Sequence, residues 1–390
     1  MAWLPLDDVV YQFGFVIVAA LLVMLGLEKS RIPGIVGLLI LGILIGPDGF
    51  GVLPEESAVS ILGPVGLLYI MFVAGLEIDL GKVRERPNEA AVFGTTAFLV
   101  TLVPVVAIGF VMGLDPAGAL LLGAALSSHT LVSYPMLVRK NLNRRRAIVA
   151  ATGGTLLTDT TALLLLVVTI QFAGEEGGHF LGALVPILLL LALAAGAIWL
   201  VPRLAQRVMN SEVVTLAEKA LFALAILMVL AIVADAIGTK DILGAFLAGL
   251  VLNRTLHQYP NTLSHLEFVG RMLLVPLFFI ETGTRLEIAV IFGSLEIWLI
   301  AAVLAAVIIA AKSAASWWSA RHYGYGSGDL LAMAGLSFPQ AAATLAIVIT
   351  GQEMGLLGAD IVDAVIIVIL MTCLVGPLLT LYATSKMKRG

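Results

Sequence analysis

Charge is scarce in this chain. Only 12% of its 390 residues are Asp, Glu, Lys or Arg, against about 25% in an ordinary soluble protein. With 60% hydrophobic residues and a mean hydropathy of +1.07, the composition excludes a soluble globular fold and describes an all-α polytopic membrane protein. Cysteine is nearly absent. Cys373, alone in an apolar run, excludes a disulfide framework. No basic tract suits nucleic acid, and no long polar segment could fold as a soluble domain. The start, Met1-Ala-Trp-Leu-Pro-Leu-Asp-Asp8, lacks a basic n-region, and the apolar run after it is long enough to span. A retained helix rather than a cleaved signal is expected. The net charge of −4 says little, because in a membrane protein the distribution of charge matters more than its sum.

Apolar runs between charged or Pro/Gly breaks predict thirteen spans, at 9–27, 32–46, 58–76, 90–113, 117–138, 147–170, 180–201, 217–238, 241–253, 265–284, 293–320, 329–351 and 358–383. The second and ninth are short for a straight crossing and are expected to be tilted or partly re-entrant. Of the 22 Lys and Arg residues, all but Lys240, Arg285 and Lys312 fall on one side of this arrangement. The positive-inside rule then puts the N-terminus outside and the C-terminus inside.

A repeat is visible at an offset of seven spans. Phe72-Val-Ala-Gly-Leu-Glu77-Ile-Asp79 closing the third span resembles Phe279-Ile-Glu281-Thr-Gly-Thr-Arg285-Leu-Glu287 closing the tenth. Gly34-Ile-Val-Gly-Leu-Leu-Ile-Leu-Gly42 in the second resembles Ile242-Leu-Gly-Ala-Phe-Leu-Ala-Gly249 in the ninth. An odd offset inverts one six-helix half relative to the other, with the seventh helix as connector. Inverted repeats are the plan of secondary transporters, whose sites lie at interrupted helices in corresponding positions. Two such interruptions correspond here: Leu126-Ser127-Ser128-His129-Thr130 with Pro135 in the fifth span, and Ser337-Phe338-Pro339-Gln340 with Thr344 in the twelfth. Proline removes a backbone donor there, and unwound backbone at membrane depth must be buried or line a cavity. Simple proline kinks, with Ser and Thr bonding back to the helix, are the structural alternative.

The sixth span holds a carboxylate: Thr152-Gly-Gly-Thr155-Leu-Leu-Thr158-Asp159-Thr-Thr. At helical spacing Thr152, Thr155 and Asp159 share a face, with Thr158 beside them. A buried acid ringed by hydroxyls suits a proton or a small cation, so Asp159 is the candidate site for a monovalent metal ion. Lys312, in the middle of the eleventh span, is its expected charge partner, with snorkelling to the interface as the alternative. His129 can sense pH or be a hydrogen-bonded crossing residue. Glu281 and Asp235 lie near helix ends, and solvation there is expected.

Gly46-Pro-Asp-Gly-Phe-Gly51, Gly75-Leu-Glu77 and Gly244-Ala-Phe-Leu-Ala-Gly249 resemble the bacterial monovalent cation:proton antiporter-2 family, which holds Kef-type potassium-efflux proteins and Nap-type sodium/proton exchangers. The resemblance implies a homodimer working as an elevator. Residues 1–80 and 213–288 would form the dimerisation domain, 81–173 and 289–390 the mobile core with crossed broken helices, and 174–212 the linker helix. It carries the ion-binding carboxylate onto Asp159, the variable position before it onto Thr158, the basic residue onto Lys312, and the small polar stretch onto Ser127, Ser128 and Thr130. His129 departs from that stretch. Asp159, Thr158, Ser128, Thr130 and Gln340 form the expected ion- and proton-binding set, with Lys312 as charge partner. No cofactor and no enzyme activity are implied. The expected partners are Na+ or K+ and H+ as substrates, the bilayer of a bacterial cytoplasmic membrane, and a second copy. Kef-type members carry a nucleotide-binding domain after the membrane part, and none is seen before Gly390. A channel is the rival reading, because His322-Tyr-Gly-Tyr-Gly-Ser-Gly328 superficially resembles a potassium filter. It lacks the Thr-Val lead, and a tight turn explains its glycines better.

Overall fold

The computed structural model describes residues 8–27, 33–54, 56–76, 87–173, 180–285 and 294–387. Every regular element among them is helical: α1 (Val9–Leu27), α2 (Gly34–Ile45), α3 (Ala58–Leu76), α4 (Pro87–Val111), α5 (Pro116–Ser127), α6 (Tyr134–Arg139), α7 (Arg146–Ala173), α8 (Phe180–Asn210), α9 (Leu216–Ala236), α10 (Asp241–Leu256), α11 (Pro260–Val269), α12 (Val275–Thr284), α13 (Leu295–Tyr323), α14 (Ser327–Ser337), α15 (Ala342–Glu353) and α16 (Ala359–Lys386). A π-helical turn, Gly270–Leu274, joins α11 to α12. Counting Pro260–Thr284 as one, nine helices among the described residues are long and apolar enough to cross a membrane. The shorter α2 and α10 and the interrupted pairs α5/α6 and α14/α15 lie where the other four spans are expected. Glu77, Asp79, Glu287 and the basic residues Lys29, Arg31, Lys82, Arg84, Arg86, Lys388 and Arg389 lie outside the described residues.

The two largest boundary differences from the sequence reading are at α8 and the tenth span. Helix α8 runs on through Pro202 to Asn210, because its last turns are amphipathic and Arg203 lies over the Trp199 ring at 4.6 Å. The tenth span starts early, at Pro260, where the missing N–H costs nothing at a helix start.

Described residues within Met1–Val16, Gly51–Ile78 and Val167–Gly283 form one compact unit. Two of its helices, α3 and α10, pack backbone on backbone. A Cβ on Gly249 would stand 2.0 Å from the Phe72 carbonyl oxygen, and one on Gly75 would stand 2.4 Å from that of Phe246. Asn253 donates to the Leu76 carbonyl at 2.6 Å, capping the end of α3. The π turn sits against α3: Gly270 abuts the Tyr69 ring, and the Tyr69 hydroxyl donates to the Leu266 carbonyl, which also keeps the Gly270 N–H. Glu281 departs from its expected solvation. It is 4% exposed, its methylenes packed where Gly63 lacks a Cβ. Asp235 is exposed, as expected of a helix end.

Described residues within Ile17–Phe50, Asp79–Leu166 and Thr284–Gly390 form the second unit. Helices α4 and α7 approach through Gly94 and Gly154, and α14 meets α16 through Gly335 and Gly376. One end of this unit is tied by ion pairs. Arg145 is bidentate to Asp329, at 2.6 and 2.9 Å, and Arg146 reaches Glu89 at 2.7 Å. Tyr325 donates to the other Glu89 oxygen at 2.5 Å. These carboxylates hold both guanidinium groups protonated beyond their ordinary range, and burial, with Glu89 next, raises the Tyr325 phenol.

The outward surface is apolar: Val10, Leu22, Leu191, Trp199, Ile232 and Val303 all stand exposed. In water such a surface would be costly, whereas against lipid it is the expected exterior. The ends of α8, α13 and α16 repeat one device, an aromatic ring with a cation four residues on: Trp199/Arg203, Trp317/Arg321 and Tyr382/Lys386. Amphipathic rings and long cations of this kind belong at a membrane–water interface.

Candidate functional site

The two interrupted helices meet within the second unit. Helix α5 stops at Ser127, whose hydroxyl bonds back to the Gly123 carbonyl at 2.6 Å. Helix α14 stops at Ser337, whose hydroxyl bonds back to Ala334 at 3.0 Å. Serine therefore closes both halves with the same local bond. Pro135 sits at the second position of α6 rather than in the break, so its missing donor is harmless. Pro339 lies in the other break, and its carbonyl accepts from the Thr130 N–H at 2.8 Å. That bond ties one interruption to the other.

Around this link the freed groups find partners. Ser128 donates to the Ala125 carbonyl at 3.1 Å and lies 3.5 Å from the Thr344 hydroxyl. Thr344 has one proton and two acceptors, Gln340 Oε1 at 2.7 Å and Ala125 O at 3.1 Å; the shorter contact takes it. The Gln340 N–H donates to Thr372 at 3.2 Å, and the Cys373 thiol donates to the Gln340 carbonyl at 3.1 Å. Gln340 is thereby fixed from α15 and α16 together. Thr344 was already marked in the second interruption, whereas Thr372 of α16 is the member of this network that the sequence does not mark. Its only signal is a hydroxyl at mid-span, shared with many structural threonines.

Lys312 projects from α13 into the same region. It is 0% exposed, and its ammonium donates to the Ser128 carbonyl at 2.6 Å. That carbonyl is available because α5 ends beside it, at the negative end of the helix dipole. The alternative of snorkelling fails, since nothing of the side chain reaches the surface. Asp159 itself is half-buried, with one carboxylate oxygen enclosed.

The hydroxyls of α7 form a row bonded back to their own helix: Thr152 to Ile148 at 2.8 Å, Thr155 to Ala151 at 3.0 Å, Thr158 to Thr155 at 2.8 Å. Thr155 and Thr158 also meet His129, 2.8 Å from Nε2 and 3.3 Å from Nδ1. Ser128, Thr130, His129, Lys312, Gln340, Thr158 and Asp159 thus belong to one constellation of hydroxyls, carbonyls, one carboxylate and one ammonium. The glycines of 322–328 lie elsewhere, in the turn from α13 to α14. Gly324 there caps α13 at φ 69°, a conformation glycine adopts without strain.

The amino-acid sequence as a whole matches a known family. Residues 16–381 match the family described as "Sodium/hydrogen exchanger, transmembrane". The chain belongs to this family. It is 31% identical over 367 residues to the Na(+)/H(+) antiporter NhaS5 of Synechocystis, covering 90% of this chain and 51% of that one. The chain therefore spans about half the length of that relative. It is 27% identical to the probable Na(+)/H(+) antiporter 3 of Methanocaldococcus jannaschii, covering 94% and 95%. It is 26% identical to the Na(+)/H(+)-K(+) antiporter GerN of Bacillus cereus, covering 88% of each. Its fold resembles the solved sodium proton antiporter MjNhaP1 of M. jannaschii, with a TM-score of 0.72 at 19% identity over 96% and 98% of the two chains. The chain is an integral membrane protein of an antiporter family.

Proposed function

We propose that this chain is a secondary active transporter that exchanges a monovalent cation for protons, Na+ foremost with K+ as the second candidate. The observation that carries the reading is the half-buried carboxylate of Asp159, with one oxygen enclosed, on the helix that faces the crossing of the interrupted helices, where the buried Lys312 ammonium meets the Ser128 carbonyl. A carboxylate so placed holds either a proton or a cation, and the exclusion of one by the other is antiport. The hydroxyls and carbonyls of Ser128, Thr130, Thr158 and Gln340 supply the uncharged oxygens that a dehydrated alkali cation needs. Potassium enters through one relative, the Na(+)/H(+)-K(+) antiporter GerN of Bacillus cereus.

Mechanistically, the entering cation displaces the Asp159 proton and competes with Lys312 for the carboxylate, while the ammonium stays on the Ser128 carbonyl. One carboxylate trading one proton for one monovalent cation moves no net charge, and the neighbouring Thr158 does not titrate. The cycle is electroneutral on that account. Alternating access by an elevator-like core (81–173 and 289–390) in a homodimer built through 1–80 and 213–288 follows from the motif resemblance. Thirteen crossings, with N-terminus outside and C-terminus inside, follow from the lysine and arginine distribution. The Trp199/Arg203, Trp317/Arg321 and Tyr382/Lys386 pairs support this, since all three belong at the expected inner ends of their spans.

The test is transport in proteoliposomes with Na+ and K+ in turn. Asp159→Asn keeps the shape of the side chain and removes its charge, so cation-dependent proton flux is expected to vanish in protein that still inserts. Substantial residual flux would refute the assignment. A channel would instead dissipate either gradient alone, without obligate exchange.

A further inference from the structure

His129 has no part in the mechanism above, yet it is 1% exposed and both its ring nitrogens face α7. Consecutive residues 128–130 bind three different elements. The Ser128 carbonyl receives Lys312 from α13, His129 meets Thr155 and Thr158 of α7, and the Thr130 N–H reaches Pro339 in the second interruption. Phe93 of α4 closes the ring from the side, edge-on, with centroids 6.4 Å apart.

Hydrogen counting decides which of the two contacts carries the load. Each threonine has one hydroxyl proton, and each already has a carbonyl of its own helix at 3.0 Å (Ala151) or 2.8 Å (Thr155). A neutral imidazole adds one N–H. Placed on Nε2, that hydrogen reaches Thr155 Oγ1 at 2.8 Å while Thr155 keeps its bond to Ala151. Nδ1 then offers a lone pair to Thr158 at 3.3 Å, longer than the 2.8 Å bond Thr158 makes to the Thr155 carbonyl. The Nε2–Thr155 bond is therefore the strong one, and Thr155 stands one helical turn before Asp159 on the same face.

We infer that His129 is a positioning residue for cation binding: by clamping the unwound strand to Thr155, it holds the Ser128 carbonyl where that carbonyl draws Lys312 away from Asp159. Among the described residues, the His129 contacts with Thr155 and Thr158 tie this unwound segment to the α7 face. Without the clamp the carbonyl drifts, the ammonium leans on Asp159, and an incoming cation competes with it at a disadvantage. The inference rests on Asp159 as the exchange carboxylate.

The experiment measures the apparent KM for Na+ and Vmax per folded protein in proteoliposomes. His129→Ala is expected to raise KM about tenfold, equivalent to about 1.4 kcal/mol, with Vmax changed less than twofold. His129→Gln, whose amide N–H can take the place of Nε2, is expected to restore KM. His129→Asn, whose shorter amide matches Nδ1, is not. Thr155→Val is expected to reproduce the rise, and His129→Ala with Thr155→Val to exceed neither alone. Should His129→Ala fail to fold, the contrast of Gln with Asn and the Thr155→Val variant carry the test. A role confined to packing would lower the folded yield and leave KM unchanged, and that result overturns the inference, as would equal rescue by Asn and Gln. Asp159→Asn runs beside them. Exchange surviving in it overturns the carboxylate assignment itself, whereas its loss together with an unchanged KM in His129→Ala overturns only the clamp.

Discussion

Replacing Lys312 with methionine isolates what the buried ammonium does. The stem keeps its volume, so little cavity is created. What is lost is a charge-assisted bond of 2.6 Å to the Ser128 carbonyl, in a place with no solvent to replace it. Hydrogen bonds to charged groups contribute about 1.5–3 kcal/mol. At roughly 2–4 °C per kcal/mol for larger domains, the sodium-free protein should melt about 3–12 °C lower. Binding should move the other way. With no ammonium competing for Asp159, the apparent Na+ affinity is expected to rise tenfold or more, about 1.4 kcal/mol. Sodium at a hundred times its dissociation constant stabilises the folded state by about 2.7 kcal/mol, enough to recover much of the lost melting temperature. The assay is a thermal melt in detergent across a sodium titration, with choline as the control cation. Wild-type melting without sodium, together with an unshifted sodium dependence, would refute the view that Lys312 is both a structural donor and a competitor at Asp159.

Two further expectations concern stability. Gly249→Ala drives a methyl to within 2.0 Å of the Phe72 carbonyl, so α3 and α10 must part, at a cost of about 1–3 kcal/mol or more. Gly196→Ala, with nothing within 4 Å, should instead gain up to about 1 kcal/mol from helix propensity; equal melting of the two variants would refute the packing argument. At Tyr325, the phenol is raised above its ordinary value near 10 by burial and by Glu89. Its contribution is therefore complete below about pH 10 and is lost as pH rises through the folded value. Tyr325→Phe should cost about 1 kcal/mol or less at pH 7, discounted because the ring is partly exposed, and the gap in melting temperature should close in alkali; a gap that widens there would be contrary to the assigned bond.

What the sequence by itself determined was the frame. A bilayer demands long apolar runs, and every backbone polar group must be satisfied inside them. Spans, the interruptions at Ser127–Pro135 and Ser337–Gln340, and the intramembrane Asp159 and Lys312 therefore stood out as violations of a simple rule. Their partners did not. Helical spacing put Thr152, Thr155 and Asp159 on a face but could not say that Thr155 would be turned to His129. Pairing by charge linked Lys312 to Asp159 but was silent on the Ser128 carbonyl, because a main-chain oxygen leaves no mark in sequence. Glu281 looked like a solvated helix end, and only the missing Cβ of Gly63, 218 positions earlier in the chain, enclosed it. The rotation of each helix about its axis, and the identity of the helix it meets, are set by packing between residues far apart in sequence. That is why the tertiary structure alone decided which hydroxyl, which carbonyl and which ring surround the charge.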